Sequence, residues 1–189
     1  MQPAIAKWTS QIDEVTQAFA SWVPELSPES INWQPHASAW SVGQILDHLI
    51  QINQSYLYIP DQIRAGKYPL PWQAKIPFFA TFMGKMILKS VQPETQRKVE
   101  TFPVWEPSQS GISSEIWEDF LQSQSDLKIM IESSEHLIRQ KTVIASPANR
   151  NIVYRLDKAF DIIVAHEFRH LQQAQNLESL REKSPAQTS

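Results

Sequence analysis

The stretch Ala165-His166-Glu167-Phe168-Arg169-His170-Leu171-Gln172-Gln173 lies inside the last apolar segment of the 189-residue chain, which reads as a helix from Leu156 to about Leu177. Two imidazoles four residues apart on a helix project from one face, one turn above the other, so their ring nitrogens can converge on a single small target. That target is most often a metal ion; the alternative is two histidines satisfied by hydrogen bonds within the protein. The pair alone does not choose between these readings.

Upstream, Ser41 followed three residues later by Gln44 has the form of a capping box. The spacing predicts a helix from there to about Ile59, stopped by Pro60. Val42, Ile45, Leu49, Ile52 and Tyr56 form its apolar stripe, and His48, three on from Ile45 and four before Ile52, faces inward. A buried imidazole nitrogen left unpaired costs about 1–3 kcal/mol, so His48 needs a partner. Standing alone, it would be met by a hydrogen bond to the backbone.

Ile5, Trp8, Ile12, Val15, Phe19 and Trp22 step by three and four residues, the stripe of a first helix ending at Pro24. A third long helix is expected from Ser113 or Ser114, both good caps, through Ile116, Phe120, Leu127 and Met130 to about Ser134, continued irregularly by 135–138. Between the second and third, 61–66 read as an extra turn, and Tyr68-Pro69-Leu70-Pro71-Trp72 as an extended proline-rich loop. Phe78 to Leu88 read as a short helix ending before Pro93. This apolar segment could be a lid, a dimer surface or core cover, and core cover is expected. Thr101 to Pro107 form a second proline-broken loop, 146–151 a further loop, and 152–154 a brief extended segment. Residues 1–178 form one domain, and 179–189 a polar, flexible tail.

Composition excludes several functions. Basic residues number 17 and acidic residues 20, which leaves no electrostatic footprint for nucleic acid. The chain has no cysteine, so any metal site must use His, Asp or Glu. Four glycines and no glycine-rich loop exclude a dinucleotide fingerprint. Met1 to Ser10 hold no apolar signal region, and no run approaches the roughly 18 apolar residues of a spanning helix, so the chain reads as cytoplasmic with no membrane partner.

Trp33 and Pro35 in a loop, Trp40-Ser41 opening a helix with His48 seven residues after Ser41, then His166, Arg169, His170 and Gln173 on a last helix, resemble the DinB-like (DinB/YfiT) superfamily. The resemblance, which covers roughly 5–59 and 144–177, implies an all-α four-helix bundle with crossover connections; the proline-rich loops and the extra short helix between helices 2 and 3 are read from the residues themselves. It also implies His48, His166 and His170 as ligands of a divalent metal, and possible assembly as a homodimer. Three neutral imidazoles leave positions for water, as in a catalytic site. Zinc and nickel suit them best, and manganese or iron is compatible. The implied chemistry is that of a metal-dependent hydrolase or of a transferase using a low-molecular-weight thiol, acting on a small-molecule substrate. A non-catalytic metal-binding or structural bundle is the alternative.

His166 to His170 also satisfies HExxH, in which Glu167 would be the general base of a zinc protease. Leu171 to Asn176 supply neither the Gly nor the His of a metzincin, and too little chain follows for a later carboxylate ligand. Glu167 is therefore expected to face solvent or to support the metal ligands, with a role as base for bound water open to it. Gln44 and Gln173 are further candidates for supporting the ligands, while His36 and His136 read as surface residues.

Overall fold

In the computed structural model of the chain, residues 2–76, 78–93, 101–108 and 111–184 are described. The first helix, α1 (Pro3–Ala20), has proline in its first turn, where no amide donor is needed, and buries the expected stripe of Ile5, Trp8, Ile12, Val15 and Phe19. A 3-10 turn (Val23–Glu25) and a one-turn helix α2 (Pro28–Ile31) follow it. Ser27 caps α2 by accepting from the Ser30 amide.

The capping box of α3 (Val42–Leu57) is complete: Ser41 Oγ accepts from the Gln44 amide and Gln44 Oε1 accepts from the Ser41 amide, at 3.2 and 3.0 Å. Pro60 does not stop this helix. It sits instead in the first turn of a separate helix α4 (Ile59–Arg64), where its missing donor does no harm. After a 3-10 turn (Trp72–Lys75) comes α5 (Phe79–Val91), and a further 3-10 turn (Pro103–Trp105) precedes α6 (Ile116–Ser133). Ser113 and Ser114 do not cap α6; its N-cap is Glu115, whose amide donates to Ser113 Oγ. A break at Ser134 separates α6 from α7 (Glu135–Arg139).

The extended segment at 152–154 has a partner the sequence did not reveal. Strands β1 (Val143–Ala145) and β2 (Val153–Arg155) pair antiparallel, with Ile144 opposite Tyr154. The last helix, α8 (Leu156–Lys183), runs six residues past its expected end at Leu177, and Arg181 pairs with Glu178 there. The expected flexible tail thus begins as helix, and 185–189 lie outside the described residues.

α1 packs on α6 and α8, and α3 packs on the same two, closing a four-helix ring in the order α1, α6, α3, α8. Two apolar clusters fill it. One gathers Ile5, Trp8, Tyr56, Leu127 and Phe160, the other Phe19, Ile45, Leu49, Phe120 and Leu171. Between them along the helices lies a buried hydrogen-bonded layer of Asn53, Ser123, Gln124 and Glu167. The protein is an all-α bundle with a minimal two-stranded sheet.

α5 lies across β2 and α8 outside the ring. Its expected role as core cover holds for one face only: Ile87, Leu88 and Val91 lean on the core, while Phe78, Phe82 and Met86 are exposed. Among the described residues, no helix is long and apolar enough to cross a membrane.

Candidate metal centre

The seam between α3 and α8 brings together the three histidines that the sequence singled out. His48 projects from the inward stripe of α3, and His166 and His170 from consecutive turns of α8. One ligand atom from each ring lies within 4.8 Å of the other two. The Nε2 atoms of His166 and His170 are 3.1 Å apart. Two nitrogens bound to one ion at about 2.0–2.1 Å stand roughly 2.9–3.4 Å from each other for right-angled to tetrahedral arrangements, so this spacing suits a shared ion.

The tautomer of His48 follows from its surroundings. Its Nδ1 lies 2.5 Å from the carbonyl oxygen of Trp105, an acceptor only, so the proton sits on Nδ1 and the Nε2 lone pair is free to ligate. A ligand histidine held by a backbone acceptor is the usual device for fixing ring orientation. Trp105 is itself fixed, since its indole Nε1 donates to Ser55 Oγ at 3.2 Å. Trp40 walls the group, 4.8 Å from His48 and stacked on His170 at 6.0 Å.

All three imidazoles are neutral in the folded protein at pH 7. Burial lowers the pKa of His48, and the Trp105 hydrogen bond only partly opposes it. Burial lowers His166 and His170 much further, assisted by the other imidazoles and the guanidinium of Arg169, while Gln173 works weakly the other way at His170. Arg169 is held at that place by donating to the Ser90 carbonyl of α5 at 2.9 Å. Among the described residues the Nδ1 atoms of His166 and His170 are buried without a hydrogen-bond partner, whereas the Nδ1 of His48 is held by the Trp105 carbonyl. Neutral lone pairs, the spacing and the donor type fit a metal ion held by the three imidazoles.

Glu167 does not face solvent. Its side chain is buried in the polar layer, where Oε1 accepts from Asn53 Nδ2 at 3.0 Å and Oε2 from Gln124 Nε2 at 3.1 Å. Burial raises its pKa to about 7 against these two hydrogen bonds, which lower it. Gln44 is committed to the α3 cap, to the Ser108 carbonyl and to Gln34. Gln173 is an exposed neighbour of His170, and His36 and His136 are exposed, as expected.

Three contributors lie outside the residues that the sequence motifs single out. The Trp105 carbonyl leaves no trace in sequence, being a backbone atom placed by a loop. Asn53 and Gln124 did leave one: each is a polar residue inside an apolar stripe, Asn53 between Leu49 and Tyr56 and Gln124 between Phe120 and Leu127.

Fold and site together define a helical bundle with a cluster of three histidines able to hold a metal ion. The sequence profile of the DinB superfamily matches residues 11–174, and the chain belongs to that superfamily. Comparison with curated proteins and with solved structures gives no significant match.

Proposed function

We propose that this protein is a divalent-metal-dependent enzyme acting on a small molecule, either a hydrolase or a low-molecular-weight-thiol S-transferase. The observation that supports it is the convergence of three neutral imidazoles within 4.8 Å, one of them oriented by a backbone carbonyl. His48, His166 and His170 would hold the ion, zinc or nickel in the first instance. When bound, the metal supplies Lewis acidity, which lowers the pKa of a coordinated water or thiol into the neutral range. The protein's own part is to present neutral lone pairs, to hold His48 in one tautomer through Trp105, and to shield one side with Trp40. Glu167, held between Asn53 and Gln124, acts in this reading as a positioning residue that fixes the α8 turn carrying His166 and His170.

A second reading, a structural metal centre without turnover, is favoured by the burial of His48 and His170. The two differ in what His170→Ala does. In an enzyme the variant loses metal and activity and keeps its fold; in a structural centre it loses a large part of its thermal stability, because metal binding is then folding energy.

The test is elemental analysis of the untagged protein beside His48→Ala and His166→Ala, followed by assays with thiols and hydrolysable esters and amides. Near-stoichiometric metal, lost in both variants, supports the centre. No uptake of zinc, nickel or manganese by the wild type, or retention of metal by all single histidine variants, would overturn it.

A further inference from the structure

Residues 101–108, which carry the 3-10 turn Pro103–Trp105, form a strap fastened to α3 by side chains of that helix. Gln44, Asp47, His48, Gln51 and Ser55 share an arc of roughly 100° at 3.6 residues per turn, beside the apolar stripe of Ile45, Leu49, Ile52 and Tyr56. All but Gln51 reach the strap. Gln44 Nε2 donates to the Ser108 carbonyl at 2.9 Å, and Asp47 Oδ2 accepts from the Ser108 amide at 2.7 Å. Gln51 Nε2 donates to the same Asp47 oxygen at 3.1 Å, which holds that carboxylate in place. His48 Nδ1 donates to the Trp105 carbonyl, and Ser55 Oγ accepts from the Trp105 indole.

Apolar burial adds less to this attachment. Phe102, Val104, Glu106 and Ser108 are exposed, Thr101 and Trp105 are half-buried, and only Pro107 is buried. The backbone bonds of the turn, from the Trp105 amide to the Phe102 carbonyl and from the Glu106 amide to the Pro103 carbonyl, stay within the strap. A segment fastened mainly by polar contacts that water can replace opens at low cost, so the strength of each contact decides how long it stays down.

One of those contacts depends on the metal centre. His48 bonds the strap through Nδ1 and offers Nε2 to an ion, and both nitrogens belong to one conjugated ring. An ion on Nε2 draws charge from the ring and makes Nδ1–H a stronger donor, as charge assistance does for hydrogen bonds generally. Such coupling runs both ways, for a strap that steadies His48 also retains the ion.

We propose that the strap is a metal-responsive element, fastened when the three-histidine centre is loaded and released more often when it is empty, with Asp47 as the positioning residue that links strap and ligand helix. This coupling rests on the reading of the three histidines as a metal centre.

The experiment is hydrogen exchange on the full chain, stripped of metal and then given zinc alone or nickel alone, beside metal affinity by competition with a chromophoric chelator. With the ion bound, amides of 101–108 should exchange at least about fivefold more slowly, while the 3-10 turn Trp72–Lys75, which packs on α5 and the two strands, keeps its rate. Asp47→Ala should lose most of that protection and weaken metal binding about five- to tenfold. Asp47→Asn, which keeps an oxygen for the Ser108 amide, should stay within about twofold of the wild type. Metal bound with no slowing of 101–108 would overturn the proposal and leave the metal centre standing. So would a loss in Asp47→Asn equal to that in Asp47→Ala, since charge near the ion and not the strap would then be at work. A wild type that takes up neither ion would overturn the metal centre, and the strap's response with it.

Discussion

The imidazole of His48 donates through Nδ1 to the carbonyl oxygen of Trp105, a contact across 57 residues that ties the loop before α6 to the second long helix of the bundle. Because Trp105 is moored in turn to Ser55 on the same helix as His48, the acceptor and the ring it orients move together.

Ser55→Ala should therefore loosen a metal ligand it does not touch. Removing the Ser55 hydroxyl frees the Trp105 indole and lets the carbonyl drift from His48, and such outlying partners are worth about 10–100-fold in metal affinity. We expect a loss near the lower end, about tenfold, read by competition with a chromophoric chelator. Unchanged affinity would mean that Pro103–Trp105 holds its place without the serine.

Glu167 makes stability depend on pH in an unusual direction. Its folded pKa of about 7 lies above the 4.5 ordinary for a glutamate, so the folded state binds more protons between those values, and stability falls as pH rises through that window. The contribution is whole below pH 4.5 and gone above pH 7, about 2 kcal/mol of it between pH 5 and 8. The histidines, with lowered pKa values, act oppositely: their contribution is present above pH 6.5 and is lost as pH falls. Denaturant melts of metal-free Glu167→Gln beside wild type separate the two, since the histidines are common to both. The variant should gain on the wild type by about 2 kcal/mol from pH 5 to pH 8; a constant difference would show that the carboxyl ionises freely.

Tyr154→Phe should cost stability at neutral pH and recover part of it in alkali. The hydroxyls of Tyr56 and Tyr154 are 2.5 Å apart and buried. Losing one removes that hydrogen bond and leaves the Tyr56 hydroxyl with Ser146, at a cost of about 1 kcal/mol. Burial raises the pKa of Tyr154 to about 12, so above pH 10 the unfolded chain gives up a proton that the folded one keeps, and folding weakens. The phenylalanine variant lacks that penalty, and its deficit should shrink by about 1 kcal/mol by pH 11 in urea titrations.

Gly84→Val should lift α5 from α8 and β2. The added carbons meet Lys158 and the Cβ of Tyr154, which sits close to the backbone and has little room to yield. Overpacking of this kind costs about 1–3 kcal/mol. Hydrogen exchange should show faster opening confined to α5, with amides of α1, α3, α6 and α8 unaffected; faster exchange in the four long helices would mean that α5 is part of the bundle's cooperative unit.

Much of the architecture was legible because it is local. Apolar residues at three- and four-residue steps mark α1, α3, α6 and α8, and Ser41 with Gln44 announces the start of α3 within a single turn. The inward facing of His48 and the shared face of His166 and His170 follow from the same periodicity, and the resemblance to the superfamily joined the three before any geometry was known. What the sequence misjudged depends on partners far along the chain. Pro60 stops a helix or opens one according to whether Leu57 has already ended the previous segment. The segment 143–145 becomes a strand only when 153–155 lies beside it. Glu167, next in sequence to a ligand, points into the polar layer because Asn53 and Gln124 wait there on two other helices.

By itself, then, the sequence determined the number of long helices, the faces they bury, the inward facing of His48 and the shared face of His166 and His170, since a helix's period places side chains without reference to the rest of the chain; the joining of the three was implied by the resemblance. Tertiary structure alone decided which proton His48 keeps, where Glu167 spends its charge and which face of α5 meets solvent, because each depends on an atom brought from a distant part of the chain, and in the case of His48 on a carbonyl that every residue possesses.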